Sequence, residues 1–132
     1  MAIRAELEGN LTKNPEGKIV TIDGEQRQIV ELRVFSDVGR KVGDRWEQDD
    51  ERSSGVDVTI WTKSLGDAVL KHLRKGNRVL VTGAIHLNEY TDADGAHHAG
   101  LRMSADMVAL IPYRVESIAF APPRRDAEPA EA

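Results

Sequence analysis

Aromatic side chains are scarce in this sequence of 132 residues: two Trp, two Tyr and two Phe. Rings this few belong in a core, yet three of them fall on polar phases of strand-like segments. Trp61 continues the alternation of Asp57 and Thr59 into Lys63, Phe35 is in phase with Arg33 and Glu31, and Tyr90 stands between Asn88-Glu89 and Thr91-Asp92. Successive strand residues point to opposite faces, so these rings share the face of charged neighbours. Flat rings with Arg33, Lys63 and His86 nearby match what an unpaired nucleic-acid strand offers. Each base presents a π-face worth about 1–3 kcal/mol when stacked, and the phosphates need Lys or Arg. A second reading fits the same placement: Trp61 packs under a helix or at a subunit interface, because exposed strand aromatics also serve protein contacts.

Other chemistries find little support. No nucleophile elbow, zinc-protease helix, P-loop or dinucleotide fingerprint occurs. With no cysteine, a disulfide framework, a thiolate zinc site and a cysteine nucleophile are excluded. His97 and His98 are adjacent, so in a strand they face opposite ways and cannot share one metal ion. His72 falls on the apolar stripe of a helical segment and reads as a core or rim histidine. The sequence therefore predicts neither an enzyme nor a metal or cofactor site. No apolar run nears the ~18 residues of a membrane span, and residues 1–10 lack a secretory core, so the default compartment is the cytoplasm, with nucleoid association if the partner is DNA. The net charge of −4 runs against a nucleic-acid partner, but four negative charges lie within residues 47–51, and outside that run the two signs are equal in number.

The elements that must hold these residues are mostly strands. Residues 3–11 alternate, with Ile3, Ala5, Leu7, Gly9 and Leu11 on one side. Turn chemistry follows at residues 14–17 (NPEG) and at Asp23-Gly24, flanking Ile19, Val20 and Ile22. Residues 28–36 alternate again, with Val30, Leu32 and Val34 together. Residues 37–55 are long and polar, a loop or hairpin extension, and 56–62 form a strand with Val56, Val58 and Ile60 inward. The period then changes to 3.6: Leu65, Ala68, Val69, His72 and Leu73 form a helical stripe, with Ser64 as N-cap, Asp67 completing a capping box, and Gly76 as the stop. Strands resume at 78–87, with Val79, Val81, Ile85 and Leu87 on one face, and at 100–111, with Leu101, Met103, Ala105 and Met107, joined across a turn at Asp94-Gly95.

About five antiparallel strands with one helix between the third and fourth is the layout of an all-β OB-fold barrel. The predicted organisation is a domain over residues 1–112, a short extra strand or oligomer clamp over 113–120, and a proline- and charge-rich tail over 121–132.

Four segments in order resemble bacterial single-stranded DNA-binding proteins. They are residues 8–16 (EGNLTKNPE), 58–69 (VTIWTKSLGDAV), 73–83 (LRKGNRVLVTG) and 90–95 (YTDADG), and the resemblance spans residues 3–111. It implies a homo-oligomeric OB-fold, usually a tetramer, that covers single strands during replication, recombination and repair without catalysis. Trp61 matches the aromatic at the end of the third strand that stacks on bases. Tyr90 matches the stacking aromatic of the last hairpin, and Trp46 falls in a long loop that often carries another. Phosphate contacts are inferred at Lys63 and Arg78, then at Arg33 and Arg74. Three features depart from the family pattern: Gly55 where many members keep a tryptophan, the acidic run 47–51, and an ending without the acidic tip that recruits repair proteins. Recruitment through such a tip is not expected, and the departures fit a specialised or mobile-element paralogue. Residues 113–120 are similar to an extra strand that clamps subunits in some actinobacterial members. The alternative reading is an assembly module on the same barrel that binds nucleic acid weakly.

Overall fold

The computed structural model describes residues 2–50 and 53–124. Eight strands and one helix follow in order: β1 (Ile3–Leu11), β2 (Glu16–Ile22), β3 (Glu25–Ser36), β4 (Gly39–Val42), β5 (Arg45–Gln48), β6 (Ser54–Ile60), α1 (Lys63–His72), β7 (Arg78–Thr91) and β8 (His97–Leu110). The long polar stretch thus holds a hairpin of its own, β4–β5, while β2 extends the sheet from the outer side of β3.

Five strands close into a ring. β1 pairs with β7, β7 with β8, β8 with β6 and β6 with β3, and the end of β3 returns to β1 through Asn10–Phe35 and Leu11–Val34. This is the expected OB barrel, with one refinement. An odd ring cannot alternate strand direction at every junction, so one pair must be parallel. That pair is β6–β8, and the other pairings are antiparallel.

The inward phases meet as the alternation demands. Leu7, Leu11, Val30, Leu32, Val34, Val56, Val58, Ile60, Val79, Val81 and Met103 fill the barrel, and Val69 of α1 and its C-cap Leu73 join the same cluster. Burying each such side chain contributes about 1.5–3 kcal/mol. α1 starts two residues earlier than predicted. Thr62 is the N-cap and makes no side-chain cap bond, so Ser64 is a helical residue, not the cap. Asp67 instead takes the Lys63 ammonium at 2.8 Å, one helical turn away. At the other end Gly76 adopts φ +93° and donates to the Leu11 carbonyl at 2.8 Å, tying the helix exit to β1. His72 is exposed, not part of the core, because the stripe through Val69 and Leu73 fills the available contact without it.

Four residues of the predicted apolar phases are exposed: Ile3, Leu87, Leu101 and Met107. A bulge between Thr82 and Gly83 leaves Asp106 without a partner in the β7–β8 ladder, which inverts the phase beyond it. Met107 is therefore exposed while Val108 packs on the core. Leu87 is exposed because the β7–β8 arm runs past the mouth of the barrel. Residues 111–124 form no strand within this chain, so the clamp expected at 113–120 has no pairing partner here. The predicted tail lies outside the described residues from 125 onward.

The bulge also sets a steric condition. A Cβ on Gly83 would overlap the Ser104 carbonyl oxygen, a backbone atom held in the ladder, whereas one on Gly100 meets nothing within 4 Å. Gly83→Ala is expected to cost on the order of 2 kcal/mol or more, and Gly100→Ala to stay within about 0.5 kcal/mol. Urea midpoints of the two variants check this, and equal midpoints would contradict the packing.

Candidate nucleic-acid interface

The outward face of the barrel is built by cross-strand register. Arg33 on β3 pairs with Asp57 on β6, Asp57 with Arg102 on β8, and Arg102 with His86 on β7. One row thus crosses four strands. Along β6 the same phase continues through Thr59 to Trp61, the first residue past the strand end. Along the β7–β8 arm it continues through Asn88–Gly100 to Tyr90–His98.

At one end of this face stands Trp61, 36% exposed. Its indole is not enclosed in the core. The Arg27 guanidinium carbon lies 5.9 Å from its ring centroid, a cation–π contact. Glu25, Gln26, Gln28, Thr62 and Lys63 complete a shallow hollow around the pair. At the other end is Tyr90, 55% exposed, with the His98 ring stacked on it at 5.0 Å and an interplanar angle of 22°. His98 Nε2 is hydrogen-bonded to Asp92 Oδ2 at 2.7 Å, while Asp92 Oδ1 accepts the Asp94 and Ala96 amides at 2.9 Å each. One carboxylate therefore shapes the hairpin tip and fixes the histidine under the tyrosine. The His98 bond is the main reason that the Asp92 carboxyl sits below the usual range. A groove between Arg33, Asp57, Asn88, Tyr90, His98 and Arg102 connects this shelf to the charged row.

The remaining expected stacking residues stand apart. Trp46 is 71% exposed on the β4–β5 hairpin, opposite Lys41. Phe35 is half-buried where β3 meets both Asn10 and Gly55.

All four expected phosphate contacts already have partners. Arg33 Nη1 donates to Asp57 Oδ1 at 2.8 Å. Lys63 is held by Asp67. Arg74 Nη1 donates to the Leu70 and Leu73 carbonyls at 2.8 and 2.7 Å, closing the end of α1. Arg78, with its side chain 22% exposed, bridges Glu8 and Asp37, both at 2.8 Å. It clasps β1, β7 and the chain leaving β3. Among the described residues, Arg27 and Arg102 form no ion pair, and both lie on the outward face. Sequence reasoning passed over them, although Arg102 shares the alternation of His98 and Gly100. The Arg33 guanidinium also lies across Gly55, so a side chain there would displace the arginine.

The ring topology and the position of α1 define an OB-fold. Two solved structures share it: the small single-stranded DNA-binding protein from Streptomyces coelicolor (TM-score 0.70, 14% identity, 83% of this chain and 94% of that one) and the Plasmodium falciparum SSB complex with ssDNA (TM-score 0.57, 17% identity, 84% and 93%). Sequence comparison goes further than the fold. The Single-strand binding protein family matches residues 3–111, and the chain belongs to it. It is 31% identical over 100 residues to the single-stranded DNA-binding protein of Chlamydia trachomatis, across 76% of this chain and 57% of that protein. It is 30% identical over 89 residues to single-stranded DNA-binding protein 1 of Clostridium acetobutylicum, across 67% of this chain and 74% of that one. The chain spans less than three-fifths of the length of the chlamydial relative.

The Arg78 clasp makes a pH prediction. Its hydrogen bond is the main cause holding the Asp37 carboxyl below the usual range. A carboxylate depressed in the folded state stabilises fully above the unfolded value of about 3.9 and loses that contribution as pH falls through its lower folded value. Arg78→Met is expected to lower stability at neutral pH by about 1 kcal/mol, discounted for the half-exposed carboxylates. It should also shrink the further loss on acidification. Urea midpoints across an acid series test this, and an unchanged acid dependence contradicts it.

Proposed function

We propose that this protein binds single-stranded DNA with little base preference and covers it during replication, recombination and repair. The observation that carries this reading is the outward face with a ring system at each end, Tyr90 on His98 and Trp61 under Arg27. In strand register the two ends lie about eight residues apart, roughly 25 Å. That separation suits a strand of several nucleotides, within the 4–16 that one OB-fold typically holds. Membership of the Single-strand binding protein family supports the same reading. Trp61 and Tyr90 stack on bases, and Trp46 and Phe35 extend the path. Arg27 and Arg102 meet phosphates first, and Lys63 and Arg33 join when they exchange their carboxylate partners. The protein acts without catalysis and works beside the chromosome. No described helix is long and apolar enough to cross a membrane.

The protein further acts as a homo-oligomer, with a tetramer as the expected form. Supporting this, the inward phase of the β7–β8 arm continues past the barrel as exposed Leu87 and Leu101, and Ile3 is exposed opposite Ile85. A second reading, an assembly module with weak nucleic-acid binding, is favoured by the carboxylate partners of Arg33, Lys63 and Arg78.

Titration with oligo-dT in a Trp46→Phe background should quench the remaining indole, with affinity falling as salt rises and with a duplex of equal length binding poorly. Trp61→Ala and Tyr90→Ala should each weaken binding by about 1–3 kcal/mol while the solution mass stays oligomeric. Absence of quenching at low salt ends the DNA reading. Loss of the oligomer in Trp61→Ala, with DNA binding unaffected, favours the assembly module.

A further inference from the structure

We propose that Asp57 is a resident substitute for a nucleic-acid phosphate: it holds the Arg33 guanidinium beside Arg102 on the outward face, and a DNA backbone takes over its place on binding. The inference rests on the single-strand reading and specifies how part of that surface works. Asp57 sits at the centre of a cross-strand row, with Arg33 at its register position on β3 and Arg102 on β8. Its carboxylate is only partly exposed and accepts from Arg33 Nη1 at 2.8 Å. Arg102 has no ion pair among the described residues, and His86 continues the row beyond it. Two arginines and a histidine thus share one row with a single carboxylate. The groove beside them leads to the Tyr90–His98 shelf, with Asn88 in its wall. A nucleotide entering this groove stacks its base on the shelf and brings its phosphate to the Asp57 position.

A carboxylate and a phosphate both accept the planar guanidinium fork, so the exchange keeps the Arg33 bond geometry and changes only its partner. While Asp57 holds Arg33, the arginine also lies across Gly55 and blocks that part of the surface. Asp57 therefore restrains binding in two ways: it neutralises one cation, and it repels the phosphate that replaces it.

The test removes the charge and keeps the shape. Full-length Asp57→Asn is titrated with oligo-dT by tryptophan quenching over a series of salt concentrations, beside the unsubstituted protein and the double variant Asp57→Asn, Arg102→Gln. The single variant should bind about tenfold more tightly at low salt, the scale of one charge-assisted hydrogen bond. Its logarithmic salt slope should steepen by about 0.7, one additional phosphate neutralised on a single strand. The double variant should lose most of the gain. Asp57→Ser, which removes the Arg33 bond as well, should move in the same direction, and urea midpoints confirm that each variant is folded. If the unsubstituted protein binds but Asp57→Asn and Asp57→Ser bind no more tightly, the proposal is overturned while the single-strand reading stands. If the unsubstituted protein does not bind at low salt, the single-strand reading itself has failed.

Discussion

A closed ring of five strands has an odd number of junctions, and an odd ring cannot be antiparallel throughout. The consequences reach the functional face. The β6–β8 junction carries the parallel pairing, and its register sets Asp57 beside Arg102 and Thr59 beside Ser104. Strands from distant parts of the chain are thereby brought together around β6, the strand that ends at Trp61. Closure also requires β7 and β8 to curve, which the bulge at Thr82–Gly83 supplies. Asp106, released from the ladder there, accepts from Thr82 and then from Arg4; these bonds keep its carboxyl below the ordinary range, and the Arg4 bond ties β1 to the bent pair. Barrel closure and the layout of the outward face thus follow from the same geometric requirement.

Much of the barrel was legible because alternation is a short-range signal. Val30, Leu32 and Val34, or Val56, Val58 and Ile60, declare their face without knowledge of any partner. The same logic fails where phase changes between elements. Met107 reads as inward from Leu101, Met103 and Ala105, and only the ladder shows that Asp106 is the extra residue. Leu87 reads as inward too, because nothing local says where the barrel ends and the arm begins. The Ser64 cap failed for a different reason: the N-cap falls two positions before it, at Thr62, and the first-turn Lys63 is paired to Asp67.

The outward rings were legible because an aromatic in a polar phase is itself a local anomaly. The cations were a harder problem. Lys and Arg abound on any surface, and their type reveals nothing about whether a carboxylate across the sheet already holds them. Arg78 reads as a phosphate contact, and the structure shows it bridging Glu8 and Asp37 between strands. Arg102 drew no notice and proved to stand without an ion partner among the described residues. Register between distant strands decides such cases, and register is a property of the folded ring.

This changes how the charge of −4 bears on nucleic-acid binding. Net charge enters only weakly when separation exceeds a Debye length, about 8–10 Å at ordinary salt. What a phosphate meets is the local arrangement. Along the outward face several cations have anions of their own: Arg33 with Asp57, Lys18 with Glu31 and Lys63 with Asp67. An exposed pair of this kind contributes little to stability, so fold maintenance does not account for the pattern. On the proposed single-strand reading its larger effect is on association, because a bound strand must displace carboxylates as well as counterions. A surface built this way binds less tightly than its arginine content suggests. On that reading it also releases its strand more readily, since each carboxylate stands beside the cation it recaptures.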